Sequence, residues 1–197
     1  MKRIIAAILA CMMLFALVGC NGNSESVGKV NVEISVKDYG KIRLELDGDT
    51  APITVANFVS LVEAGFYDGL TFHRVVKGFM IQGGDPNGDG TGGSDKTIKG
   101  EFSANGVDND ISHERGVISM ARSSAYDSAS SQFFICHGDS AFLDGNYAAF
   151  GEVVSGMDVV DGIAGTAVVS NGSEVSKPVT APVIVKATLS ATAEGGN

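Results

Sequence analysis

The chain has 197 residues, 23 of them acidic and 14 basic, for a net charge of −9, with three cysteines and no tryptophan. That acidic balance is wrong for a protein that grips nucleic acid through its phosphates, and 44% hydrophobic residues with 26 glycines fit neither a disordered nor a collagen-like chain. Three cysteines are too few for a disulfide scaffold, and the length suits one domain that buries about 70% of its unfolded surface without a metal or disulfide staple.

Residues 1–19 read as an address. Lys2 and Arg3 precede an uncharged apolar run, Ile4 to Val18, too short for a comfortable transmembrane helix, which ends in Leu17-Val18-Gly19-Cys20. The ending resembles a bacterial lipobox, in which the signal is cut before the cysteine and the thiol of Cys20 takes up lipid; the alternative is an ordinary signal peptide with a cysteine at its end. Two acyl chains anchor stably where one is marginal. Residues 20–28, polar and without periodicity, are expected to be the lipidated cysteine and a flexible tether. This predicts an extracytoplasmic protein held to the bacterial cell membrane by lipid. Removing Lys2 and Arg3 from the 14 bases leaves 12 against 23 acids, so the rest of the chain stands at −11. Anionic headgroups repel such a charge, and the lipid alone would do the anchoring.

A single domain is expected over 29–190, with a flexible tail at 191–197. Val30, Val32, Ile34 and Val36 alternate with polar residues, Asp38-Tyr39-Gly40 turns the chain, and Ile42, Leu44 and Leu46 alternate again, which predicts a hairpin. A helix then starts near Pro52, with Thr50 as a cap. Val55, Phe58, Val59 and Val62 give it an apolar face, and Gly65 ends it. Strand-like runs follow at Thr71–Val76, Phe79–Gln82, Gly116–Ala121, Gln132–Cys136, Tyr147–Val153 and Val183–Leu189, with a second helix over Met157–Ala164. Many short strands with two isolated helices predict a mainly β fold, a closed barrel with helices over its ends.

Of the three cysteines, Cys11 leaves with the signal, and Cys136 in Phe133-Phe134-Ile135-Cys136 reads as a buried strand residue. His137 cannot serve it as a base, because successive strand side chains point to opposite faces. Asp85-Pro86-Asn87-Gly88-Asp89-Gly90 matches the front half of a calcium loop, but the closing glutamate position holds Lys96 and no helix precedes it. The glycines lack the GK[ST] of a phosphate cradle. His73, His113 and His137 are scattered without ligand spacing, His73 being expected as a structural hydrogen-bonder. Asn171-Gly172-Ser173 is a formal glycosylation sequon without relevance to a bacterial lipoprotein. No metal and no cofactor is called for.

Three clusters combine polar and apolar side chains. In the first, Phe72 to Asp85, a turn at Gly78 would set Arg74 beside Gln82 on one face of a hairpin, with Phe79 and Met80 nearby. The others are Ser130 to Ile135 and Ala141 to Gly145. Taken singly, each phenylalanine could be core. Taken together, FHRVVKGFMIQGGD, GTGG, ISMAR, SSQFFI and FLDG occur in the order and at spacings that resemble the cyclophilin family of peptidyl-prolyl cis-trans isomerases, over residues 30–189.

The resemblance implies an eight-stranded antiparallel β-barrel, closed and capped by two α-helices. It implies Arg74 as the central catalytic residue, acting with Phe79 and Gln82. Phe79, Met80, Phe134 and Leu143 would wall the pocket for the proline ring, with Phe142 and Tyr147 at its rim. Gln82, Ala121, Arg122 and Gln132 would hold the peptide backbone, Arg122 mainly through its main chain. Many members carry tryptophan where this chain has Phe142, histidine at Tyr147 and asparagine at Arg122. Losing the indole donor should weaken cyclosporin binding while leaving the guanidinium in place. The implied partners are proline-containing polypeptides that the enzyme helps to fold, met by a monomer. Two rivals are a cyclophilin-shaped module that binds proline segments without turnover, and a non-catalytic anchor or adhesin. The presence of Arg74, Phe79 and Gln82 together favours the enzyme.

Overall fold

The computed structural model describes residues 28–190; the signal, Cys20, the rest of the tether up to residue 27 and the tail lie outside the described residues. Strands β1 (Lys29–Val36) and β2 (Gly40–Asp47) form the expected hairpin, with Val32 opposite Leu44 and Ile34 opposite Ile42. Because side chains alternate along a strand, this register buries Val32, Ile34, Val36, Ile42, Leu44 and Leu46 together. On the other face Glu33 pairs with Lys41 at 2.6 Å and Arg43 at 3.0 Å.

Helix α1 (Pro52–Glu63) buries Thr54, Val55, Phe58 and Val62. Thr50 does not cap it. The cap position is Ala51, which has no side-chain oxygen, and the carboxylate of buried Glu101 reaches in instead. It accepts from the backbone N–H of Ile53 (3.0 Å) and of Thr54 (2.7 Å) and from the Thr54 hydroxyl (2.6 Å). A full negative charge at the positive end of the helix does more than a hydroxyl could. Gly65, at φ 67°, ends the helix as expected, donating to Val62 O while Phe66 donates to Leu61 O.

The chain continues through β3 (Arg74–Val76), β4 (Met80–Gly83), β5 (Val117–Met120), β6 (Phe133–Cys136), β7 (Ala149–Ser155), α2 (Met157–Ala164), β8 (Val168–Asn171), β9 (Glu174–Pro178) and β10 (Ile184–Leu189). Eight strands form one antiparallel sheet in the order β10-β1-β2-β7-β5-β6-β4-β3, and β8 and β9 form a separate hairpin. Helix α1 lies against β2 and β10, and α2 against β2, β3 and β4.

The fold is mainly β with two helices, but the expected closed barrel is not there: the sheet is open and curled, with β3 and β10 as its ends. The segments leading into them touch through an isolated bridge, Thr71 to Val183, flanked by hydrogen bonds from Phe72 N–H to Pro182 O (2.9 Å), Ile184 N–H to Leu70 O (2.8 Å) and Gly69 N–H to Ile184 O (2.7 Å). Pro182 has no N–H to extend a ladder. The run Thr71–Val76 accordingly divides into that bridge and the three-residue β3. Inside the curl an aromatic cluster fills the core. Phe58 lies 5.0 Å from Tyr67, 5.3 Å from Phe150 and 5.4 Å edge-on from Phe133. The Tyr67 hydroxyl, buried with them, donates to Ser131 O at 3.1 Å.

Candidate active site

Strand β3 pairs with β4 so that Arg74 stands opposite Gln82, as the sequence predicts, and the tight turn between them needs the positive φ of Gly78 (86°). Strand β4 in turn pairs with β6, Gln82 opposite Phe134 and Met80 opposite Cys136. Opposed residues share a face, so Arg74, Met80, Gln82, Phe134 and Cys136 all project to one side. Leu143 closes over them, and Met80, Phe134, Cys136 and Leu143 form a buried apolar cluster against which Val76, Phe79, Ala121 and Tyr147 pack.

Above this cluster lies a cavity of about 330 Å³ lined by Arg74, Phe79, Met80, Gln82, Ala121, Arg122, Phe134, Phe142, Leu143 and Tyr147. The chain brings together every pocket residue expected from the sequence except Gln132. That residue lines an adjoining cavity of about 370 Å³, bounded by the 90–94 loop and Ser123, Ser128 and Ser130 and sharing Gln82, Ala121 and Arg122 with the first. Gln132 reaches the pocket through Gln82: its Oε1 accepts from Gln82 Nε2 at 2.8 Å, while its Nε2 donates to Gly92 O at 2.7 Å and Gly90 O at 3.1 Å. Gln82 passes this fixation on, its Oε1 accepting from Arg74 Nη1 at 3.1 Å. Phe142, 72% exposed, stands at the mouth 5.5 Å from Phe79, and the Arg74 guanidinium lies 5.9 Å from the Phe79 ring centre.

The Arg122 side chain is held within the protein. The guanidinium sits 4.7 Å from the ring centre of Tyr147, 5.1 Å from Tyr126 and 5.2 Å from Phe102. It donates to Asn146 O from both Nε (3.0 Å) and Nη2 (2.8 Å), and to Ser123 O from Nη1 (2.9 Å). It is thus a fixed wall between the two cavities. Ala121 N–H donates to Gln132 O at 3.0 Å, tying the same segment to β6.

Two groups escaped the sequence reading. Behind Phe134, buried His113 stacks on its ring at 6.0 Å, with Nδ1 2.7 Å from Asp144 Oδ1 and Nε2 3.0 Å from the Ser119 hydroxyl. Burial pushes the His113 pKa down, although Asp144 pulls the other way. The neutral ring with its proton on Nδ1 then donates to Asp144 and accepts from Ser119. The second is Glu174, at the start of β9. Its Oε2 accepts from Arg74 Nε at 2.7 Å and its Oε1 from Arg74 Nη2 at 2.8 Å, and these bonds hold its carboxyl below the usual range. The signal that could have found this hairpin is Asn171-Gly172 between short valine runs, which reads as a turn as readily as a sequon.

The remaining candidates resolve differently. Cys136 is fully buried and burial pushes its thiol up to about 12, while His137 Nδ1 accepts from Gly78 N–H at 2.9 Å. His73 is buried, and among the described residues neither ring nitrogen has a partner of good hydrogen-bond geometry, although the backbone of Thr71 and the carboxylate of Asp85 act on the ring. Its neighbour Asp85 spends its carboxylate on the backbone N–H groups of Asn87 (2.8 Å), Asp89 (3.0 Å) and Gly90 (2.5 Å). Among the described residues no cluster of His, Cys, Asp or Glu has the arrangement to hold a metal.

The curled antiparallel sheet carries a small apolar pocket beside a fixed arginine, and the comparisons give the chain a family. The model of the family described as cyclophilin type peptidyl-prolyl cis-trans isomerase/CLD matches residues 31–189. Peptidyl-prolyl cis-trans isomerase A of Dickeya dadantii is 42% identical over 169 residues, covering 83% of this chain and 84% of that protein. Peptidyl-prolyl cis-trans isomerase B of Bacillus subtilis is 49% identical over 123 residues, covering 62% of this chain and 82% of that protein. Among solved structures, a cyclophilin-type isomerase of Cryptosporidium parvum crystallised with the dipeptide Ala-Pro superposes with a TM-score of 0.72 at 29% identity, over 82% of this chain and 99% of that one. The chain belongs to the cyclophilin-type peptidyl-prolyl cis-trans isomerases.

Proposed function

We propose that this isomerase turns Xaa-Pro bonds by stabilising the twisted amide with Arg74. The bond rotates against a resonance barrier of about 18–20 kcal/mol, so the unassisted step takes tens of seconds or more. At the twisted transition state the amide nitrogen recovers its lone pair and can accept a hydrogen bond that it cannot accept when planar. A guanidinium N–H aimed at that nitrogen binds the transition state more strongly than the ground state, which is what lowers the barrier. Phe79, Met80, Phe134 and Leu143 hold the proline ring still while the acyl side turns. Gln82, Ala121, Arg122 and Gln132 form the polar wall along which the peptide backbone lies. No nucleophile, metal or cofactor takes part in this scheme.

The observation that carries the proposal is the fixation of Arg74 at the rim of the apolar cavity, through Gln82 and in turn Gln132. Purified full-length protein should accelerate cis-trans exchange of a short Xaa-Pro peptide, and Arg74→Ala should lower kcat/KM by about a hundredfold or more without lowering Tm. Equal rates for the two proteins would refute the role of Arg74.

The location follows from the sequence alone. Lipid on Cys20 and a short tether would hold a monomeric enzyme at the outer side of a bacterial cell membrane. There it would assist the folding of secreted proteins, whose proline bonds isomerise beyond the reach of cytoplasmic helpers. Cys20→Ala should block lipid labelling and release the protein from the membrane fraction; continued labelling would refute the anchor.

A further inference from the structure

The pocket and its polar wall are built from the main sheet and the loops joined to it, but their central arginine is held from outside them. Glu174 comes from the separate β8–β9 hairpin, follows the Gly172-Ser173 turn, and meets Arg74 from a hundred residues along the chain. We propose that Glu174 is a positioning residue for isomerisation, holding the Arg74 guanidinium in the orientation in which its remaining N–H, on Nη2, faces the proline nitrogen. The inference rests on the role of Arg74 given above.

The guanidinium is a planar fork whose orientation is defined once two of its edges are held. Glu174 takes one edge with two bonds, to Nε at 2.7 Å and Nη2 at 2.8 Å. Gln82 takes Nη1 at 3.1 Å from the opposite strand of the β3–β4 hairpin. Nη1 spends its second N–H on Met80 Sδ at 3.7 Å, a wall of the apolar cavity, so the N–H left over sits on Nη2. Without Glu174, a long side chain that is 30% exposed would be held at Nη1 alone, by Gln82 and the weak acceptor Met80 Sδ. A bidentate carboxylate removes that freedom before substrate arrives, and such prepayment is where orientation contributes to rate. Strand β9 lies against β3, so backbone packing brings the carboxylate to its place.

The same contact could instead be an ordinary surface ion pair, or a brake that quenches the cation; the three roles predict different kinetics. In full-length protein, Glu174→Ala should lower kcat/KM on an Xaa-Pro peptide about tenfold. Glu174→Gln, which keeps the shape and one acceptor, should lose less. Arg74→Ala/Glu174→Ala should be no slower than Arg74→Ala, because Glu174 acts only through Arg74. The Arg74 Nε–H resonance should shift upfield in Glu174→Gln, a readout independent of turnover and one that reports on folded protein. Wild-type or faster kinetics in both Glu174 variants would overturn the proposal, as would a Glu174→Ala loss that persists undiminished on the Arg74→Ala background. An Arg74→Ala protein as fast as wild type would overturn the Arg74 reading itself, and this inference with it, without any Glu174 variant being needed.

Discussion

The two faces of the β4–β6 ladder are made from adjacent residues and serve opposite ends. On one face Ile81, Phe133 and Ile135 enter the main core, where Phe133 meets Phe58, Tyr67 and Phe72 edge-on. On the other, Met80, Phe134 and Cys136 form a small cluster open to a cavity. Both faces are buried strand residues, and both are apolar. They differ in what completes them: aromatic rings from α1 and the segments after it on the core side, and on the pocket side a rim of exposed Phe142 and charged Arg74 around a cavity. Alternation of side chains thus lets one short ladder be a stabilising wall and a binding wall at once.

Adjacent substitutions should separate the two. Phe133→Ala leaves a void amid packed rings and should cost about 3–5 kcal/mol, seen as a lower denaturant midpoint, with the rate per folded molecule kept. Phe134→Ala should show the reverse emphasis: kcat/KM falls by about one to two orders of magnitude, while the midpoint drops by less than in Phe133→Ala. Equal stability losses would erase the distinction. A smaller effect is expected away from the ladder, where Glu101→Ala removes the anion at the start of α1 and should cost about 1–2 kcal/mol without touching the rate of folded protein.

The imidazole behind Phe134 makes the pocket side sensitive to acid. His113 titrates in the unfolded chain near its ordinary 6.5, but burial depresses its value in the fold. As pH falls below 6.5 the unfolded state takes up the proton first, so stability is full above that value and is lost on acidification toward the depressed one. His73, also depressed by burial, contributes with the same sign. Wild-type Tm should therefore fall between about pH 7 and about pH 5, and His113→Gln should flatten part of that slope. The least effect is on Cys136: native protein should resist a thiol reagent at neutral pH and react once denatured, since its thiol is buried and held protonated.

Much of the architecture was legible because local patterns and tertiary contacts agree. The β1–β2 alternation, the apolar spacing of α1 and the bounds of α2 at Met157–Ala164 all emerge where they were expected. Arg74 beside Gln82 was legible because one glycine turn sets that register. What stayed hidden depends on long-range partners. The β8–β9 hairpin is mostly exposed, and in β9 the buried positions are Ser176 and Pro178 while Val175 faces out, so its sequence lacks the apolar alternation of a half-buried strand and Glu174 carried no pattern. The aromatic seat of Arg122 is gathered from Phe102, Tyr126 and Tyr147, far apart in the chain. The open edge was not legible either: Pro182 has no N–H to donate beside the Thr71–Val183 bridge, and β3 and β10 form no ladder.

The carboxylate that caps the start of α1 also bears on the order of folding. Glu101 lies 47 positions after Thr54, with β3, β4 and the long loop between them. A nascent chain that has delivered only β1, β2 and α1 has the helical segment but not the acid that satisfies its first amides. Its first turn would fray until residue 101 arrives and docks. The helix start is thus a contact between early and late segments, closing a long loop, and it ties the completion of α1 to the arrival of the chain that carries the pocket.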